Sequence, residues 1–225
     1  RDVVGTLLVD TLYQGKVVLL VEGPSDKMLL HAFSELLASQ KKPCINFERI
    51  VLQPAYGAPV CPAVASILKN ENVPTVALLD SDSEGERIKQ KLLDHGLLEE
   101  EDIIMLKQAV NPRSRRETIE CLIPKHIIVE AVNEVYHPSS KFEKPEGGWW
   151  PMVSQLKAWL RKRNLISDKE DLDKITMANI FKKHFTPQEV FDNDENIQED
   201  FRELHTLVEV LRKKLDDKLS LQDVR

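Results

Sequence analysis

Two acids four positions apart, Glu22 and Asp26, follow directly on a short apolar run, Val17–Val21. A denser acidic string, Asp80-Ser81-Asp82-Ser83-Glu84-Gly85-Glu86, follows directly on a second apolar run over residues 74–79. Four carboxylates in one crevice repel one another unless cations neutralise them, so convergence of Glu22, Asp26, Asp80 and Asp82 predicts a metal centre. Hard oxygen donors favour Mg²⁺ or Mn²⁺. A pair of such ions is the usual device for displacement at phosphorus, one activating the attacking water and the other stabilising the leaving oxygen. Each acid alone has a plainer reading as a helix N-cap or first-turn charge, and for Asp26 or Glu84 taken singly that reading is equally good. Their recurrence at two core-strand ends is what favours metal.

The elements that would gather these acids are legible from periodicity. The run VVLLV is short and β-branched, bounded by Gly15 and by Gly23-Pro24, and reads as a fully buried strand of a parallel sheet. Glu22 then stands at its carboxyl end, where open α/β sheets bind ligands. Residues 25–39 carry the broad apolar stripe of a helix packed on a sheet. Strands are expected at 47–52, 74–79 and 102–106, with helices at 60–69 and 88–94, the latter closed by His95-Gly96. Such alternation implies right-handed crossovers, a mostly parallel sheet flanked by helices, and carboxyl ends sharing one edge. The two acidic segments should therefore face one crevice.

From Asn111 the texture changes. A polar Asn-Pro-Arg-Ser-Arg-Arg stretch precedes Glu117 to Leu122 (ETIECL), then Pro124 and a helix through Val135. Gly147-Gly148-Trp149-Trp150 has the composition of a loop between units, and helices are expected over 152–163, 173–184 and 196–219. The expected division is a leader over 1–15 continuing from an upstream domain, an α/β core over 16–137, a smaller helical addition over 138–200, and a C-terminal helix over 201–225.

The 225 residues, 42% hydrophobic and 30% charged, suffice for one sizeable core with or without a satellite. No apolar run approaches the roughly 18 residues of a membrane helix, and no signal pattern is evident, so a cytoplasmic chain with no membrane partner is expected. Three cysteines are too few and too scattered for a disulfide framework or zinc ribbon, and the six histidines show no ligand spacing. A net charge of −6 argues against coating nucleic acid by bulk attraction and leaves local contacts to do the work. Arg113, Arg115 and Arg116 rank first as phosphate donors because they adjoin the ETIECL string. Lys157, Arg161, Lys162, Arg163, Lys182 and Lys183 follow. Trp149 and Trp150 have faces for base stacking, but their Gly and Pro neighbours better suit pinning the helical addition to the core.

The paired motifs, Glu22-Gly23-Pro24-Ser25-Asp26 after one strand and Asp80-Ser81-Asp82 after another, resemble the TOPRIM domain of type IA and type II topoisomerases, primases and certain nucleases. Arg116 to Pro124 (RETIECLIP) resembles the third motif of the overcoming lysogenization defect (OLD) nucleases, and Lys174 in DKITMA resembles the lysine of their helical extension. The resemblance covers about residues 16 to 185. It implies a TOPRIM, Rossmann-like fold and a DNA endonuclease that nicks or cleaves by two-metal hydrolysis with Mg²⁺ or Mn²⁺. The partners implied are DNA and an N-terminal ABC-type ATPase domain. No Walker A pattern occurs in these residues, so ATP hydrolysis would belong to that upstream domain.

Carried over by position, the resemblance makes Glu22, Asp26, Asp80, Asp82 and Glu120 metal ligands. Glu22, Asp80 and Lys174 would be catalytic, Lys174 as a cation for the developing phosphorane charge. Glu84 is the likelier of the two further acids to touch a metal, directly or through water, while Glu86 is left unplaced. Glu117 sits three residues before Glu120 and competes for its role. Cys121 departs from the family, which often has a polar residue there. Two alternatives stand beside this reading: a topoisomerase or primase use of the fold, which for a topoisomerase needs a tyrosine that neither Tyr13, Tyr56 nor Tyr136 supplies in an evident motif, and a non-catalytic Mg²⁺-binding regulatory module. The apolar stripe Phe201, Leu204, Leu207, Val208 and Leu211 could dock on the core or on a second subunit of a homodimer.

Overall fold

A computed structural model describes residues 17–111 and 117–223; the expected leader lies outside them. Four strands, β1 (Val17–Val21), β2 (Ile50–Pro54), β3 (Thr75–Leu79) and β4 (Ile103–Met105), form one parallel sheet in the order β2-β1-β3-β4. Every residue of β1 and β3 is buried, as strands covered on both faces require. In register, Val21 at the end of β1 faces Pro54 of β2 and Leu78 of β3. The chain leaves β1 toward β2 on one side and returns to β3 on the other. Strand order thus reverses between β1 and β3, and the crevice beyond their carboxyl ends is the topological switch point at which open α/β sheets take ligands.

The helices are α1 (Pro24–Ser39), α2 (Cys61–Asn70), α3 (Ser83–Asp94), α4 (Leu106–Val110), α5 (Lys125–Tyr136), α6 (Met152–Lys162), α7 (Lys174–Lys183), α8 (Pro187–Val190) and α9 (Arg202–Asp223). Alternation along β1 distributes its side chains between two apolar layers. Val18 and Leu20 join Ala77 and Leu79 of β3 under α2 and α3. Val17, Leu19 and Val21 join a larger cluster reaching through α1, α5, α6, α7 and α9. Helix α7 packs against both α1 and α5. The stripe of Phe201, Leu204, Leu207, Val208 and Leu211 is buried to 2% exposure or less in this cluster, so it docks on the core and leaves no free face for a second subunit there. Lys214 and Lys218 both pair with buried Asp102 before β4, fastening α9 to the sheet.

Several boundaries differ from expectation: β2 runs over Ile50–Pro54 instead of 47–52, the strand expected over 102–106 ends at Met105 where α4 begins, and others shift for local reasons. Helix α3 begins at Ser83 instead of 88, because Asp82 Oδ1 accepts the backbone N–H groups of Glu84 and Gly85 at 2.9 and 2.8 Å. Most of the acidic string is therefore the cap and first turn of a helix. Within the third string, Ile119–Leu122 forms a 3₁₀ turn. Residues before α9 are taken up by a bridge between Phe191 and Ile197 and a 3₁₀ turn at Glu199–Phe201. Trp149 stands edge-on to buried Phe142 at 6.2 Å, and both tryptophans pack against the larger cluster, the pinning role their neighbours favoured.

Candidate metal centre

Glu22 is the first residue beyond β1, and its Oε1 accepts the backbone N–H of Asp80, the first beyond β3, at 2.9 Å. One side chain thus bridges the two strand ends at the switch point. The carbonyl of Glu22 accepts the Gly57 N–H at 3.0 Å, bringing in the chain beyond β2. Asp26 lies in the first turn of α1, where Pro24 supplies a preset φ, and its Oδ2 accepts the Gly23 N–H at 2.8 Å. Its capping role holds the carboxylate in place; at 8% exposure the group is nearly out of solvent.

The second acidic segment is braced by its neighbours. Ser81 donates its N–H to the Glu117 carbonyl at 2.7 Å, and its Oγ accepts the Lys107 N–H at 2.8 Å. Gly85 comes so close to this segment that a Cβ there would lie 1.9 Å from the Asp80 carbonyl oxygen. Only glycine allows that approach. Sequence reading passed over Gly85, although a glycine in the first turn of a helix is the signal that could have found it.

Glu120 comes from the 3₁₀ turn and is 3% exposed. Lys174 occupies the first position of α7, and its Nζ lies 3.0 Å from Glu120 Oε1; Glu120 Oε2 has no hydrogen-bond partner among the described residues. A lysine at a helix N-terminus faces the wrong end of the dipole, so the surrounding acids must hold it there. Burial works against its charge, but Glu120, Asp80 and Asp26 outweigh burial and keep the ammonium above the usual lysine range. Glu117 stands apart from Glu120, its carbonyl engaged by Ser81.

Glu22, Asp26, Asp80, Asp82, Glu84 and Lys174 line one cleft of about 470 Å³, with Glu120 behind Lys174. Glu86 is exposed on α3 and does not line it. Arg113, Arg115 and Arg116 fall outside the described residues. Of the other basic candidates, Lys157 lines the cleft. Arg161 donates to carbonyls of the loop after α6, Lys162 and Arg163 pair with Glu146, and Lys183 pairs with Glu134. Asp171 and Asp173, which spacing did not single out as site residues, also line the cleft.

Three of the acids, Asp26, Asp80 and Glu22, resist ionisation. Burial pushes Asp26 up to about 7, with the Glu120 charge adding and Lys174 opposing. Burial, then the charges of Asp26, Glu120 and Glu22, hold Asp80 well above the carboxylate range. Glu22 is raised as well, chiefly by burial and also by Asp82 and Glu84. An all-oxygen donor set, three acids held above their ordinary values and one orphaned buried oxygen on Glu120 fit a hard divalent cation. Among the described residues no three His, Cys, Asp or Glu side chains already converge on one point as a finished cage would.

A stability consequence follows from Asp26. Its value in the folded chain lies above the roughly 3.9 of a free aspartate, so folding favours the protonated form. That contribution is complete below about pH 4 and is lost as pH rises through about 7. Asp26→Asn should therefore raise the metal-free melting temperature at pH 8 by about 5 °C while leaving it nearly unchanged at pH 4. Differential scanning fluorimetry in EDTA across pH checks this; equal melting curves at pH 8 would contradict it.

Residues 15–82 match the family model for the TOPRIM domain of overcoming lysogenization defect protein-like proteins. That span holds β1 to β3 and, with them, Glu22, Asp26, Asp80 and Asp82; Glu84, Glu120 and Lys174 lie beyond it. Among solved structures, the chain is similar to the C-terminal region of the Burkholderia pseudomallei OLD protein. The identity is 15%, the likeness covers 88% of this chain and 98% of that one, and the TM-score is 0.45. No curated protein matches.

Proposed function

We propose that this chain, which carries an OLD-like TOPRIM domain over residues 15–82, is the catalytic region of a DNA endonuclease that hydrolyses phosphodiesters with two divalent ions. Its core over 16–137 would supply the carboxylates and its helical addition over 138–200 the cation, beside an N-terminal ABC-type ATPase domain. The observation that carries the reading is the cleft that Lys174, backed by its ion pair with buried Glu120, shares with Glu22, Asp26, Asp80 and Asp82. It combines more carboxylate than one lysine can neutralise with a cation that stays charged.

Glu22, Asp26, Asp80, Asp82 and Glu120 would hold the ions, with Glu84 at the margin. Bound Mg²⁺ or Mn²⁺ supplies an activated water and charge neutralisation at the attacking and leaving oxygens. Glu22 also fixes the Asp80 backbone, which sets the spacing of the two strand ends. Asp82 gives one oxygen to the α3 cap and keeps the other for a cation. Lys174 donates to a non-bridging phosphate oxygen as its charge grows, from a position its acid neighbours prearrange. Arg113, Arg115 and Arg116 would contact flanking phosphates. The strand-passage alternative needs a tyrosine nucleophile, usually supplied by another domain; within this chain burial raises the phenol of Tyr136, whose oxygen accepts the Asp173 N–H at 2.7 Å.

Supercoiled plasmid incubated with the protein and Mg²⁺ or Mn²⁺ should give open-circular and then linear DNA, and EDTA should stop the reaction. Products covalently linked to protein would favour a topoisomerase. Metal binding by calorimetry without cleavage of any nucleic acid would overturn the nuclease reading in favour of a regulatory module.

A further inference from the structure

The helical wall of the cleft carries a second lysine. Lys157 on α6 lines the cleft together with Lys174, and its Nζ lies 2.7 Å from Asp171 Oδ1, its only charged partner among the described residues. The pair is unequal in its surroundings: the Lys157 side chain is 24% exposed and that of Asp171 is 66% exposed. The cation is mostly covered, whereas the anion is exposed and is tied besides by one local backbone bond, the Leu172 N–H donating to its Oδ1 at 2.6 Å.

Asp171 also lies in the field of Lys174. Burial would raise its carboxyl, but the hydrogen bonds from Lys157 and from the Leu172 backbone N–H, then the charges of Lys157 and Lys174, outweigh burial and hold it below the usual range. A carboxylate lodged against one lysine and within the field of another, on the wall beside the metal-ligand acids, occupies a position suited to an anionic oxygen of a substrate. Phosphate oxygens accept from lysine as carboxylates do. An ion pair with so exposed an anion contributes little to folding, so a structural staple is a weak account of it.

We infer that Lys157 binds a phosphate of the nucleic-acid strand next to the scissile one, and that Asp171 is a displaceable stand-in occupying Lys157 until the strand arrives. This rests on the nuclease reading and gives its cleft a second phosphate subsite. It also assigns Asp171 a restraining role: the strand must exchange with an anion already in place, so Asp171 lowers affinity for nucleic acid.

The two partners are therefore distinguished by the sign of their effects. In anisotropy titrations of a labelled DNA oligonucleotide with Ca²⁺ in place of Mg²⁺, Lys157→Met should weaken binding about 10-fold and Asp171→Asn should tighten it about 3-fold. Lys157→Met should also reduce the salt slope by roughly 0.9 on duplex DNA. In Mg²⁺ it should raise KM for cutting with kcat largely kept. A merely structural pair would make both substitutions weaken binding alike, with parallel falls in melting temperature, and that result overturns the inference while leaving the nuclease reading intact. Failure of the unsubstituted protein to bind or cut any DNA would overturn both.

Discussion

Asp80→Ala should reduce plasmid cutting by about 10³-fold or more at saturating Mg²⁺ while leaving the fold intact. Asp80 is the first residue beyond β3, at the switch point, where its backbone N–H is held by Glu22. Its carboxyl lies in the fields of Asp26, Glu120 and Glu22, which makes it the centre of the repulsion that a cation must relieve. Alanine keeps the backbone donor and the strand but removes the carboxylate proposed to hold a metal ion. Because Asp80 is charged only against resistance, its loss also lowers the electrostatic cost of the metal-free fold at neutral pH. The expected signature is a melting temperature in EDTA equal to or above that of the parent, with cutting lost. Initial rates of supercoil loss and thermal melts measure both. Undiminished cutting would sink the assigned mechanism.

Gly85→Ala should be nearly as damaging by a different route. The added methyl would stand 1.9 Å from the Asp80 carbonyl oxygen and 2.9 Å from its carbonyl carbon, both backbone atoms that no rotamer change can move. Either α3 retreats or Asp80 shifts. Retreat breaks the Asp82 cap, whose second hydrogen bond comes from the Gly85 N–H itself. Overpacking of this kind costs about 1–3 kcal/mol, or about 2–9 °C in a chain of this length. Displacement of Asp80 should weaken metal binding about 10- to 100-fold by calorimetry. Ser83→Ala, at an exposed position of the same turn, is the control and should change neither measurement. Parent-like metal affinity in Gly85→Ala would show that the acids tolerate movement.

The sheet was legible because strands buried on both faces read as unbroken apolar runs, and the acids were legible because each group interrupts such a run at once. The start of α3 was not. It lacks an apolar stripe over 83–87, and a cap plus a close backbone approach set it, neither of which periodicity registers. Spacing alone leaves Glu117 and Glu120 in competition, whereas the chain passes through extended Thr118 into a 3₁₀ turn that buries Glu120 beside Lys174. Lys157 could be ranked only among similar lysines, since nothing in its spacing points to Asp171. The tertiary path of α6 and the loop before α7 brings the pair together.

The packing of α7 against α1 bears on any attempt to borrow these acids for another scaffold. Helix α1 begins at the switch point and carries Asp26, and its apolar residues Leu29, Leu30 and Phe33 share one cluster with Met177, Ala178 and Phe181 of α7. A graft of the matched segment alone would uncover that face and would leave Lys174 behind. The covered apolar face and the proposed chemistry are thus inherited as one trait: a lineage that trimmed the later helices would uncover the one and lose Lys174 in the same step, and a designer must transplant α7 along with the sheet.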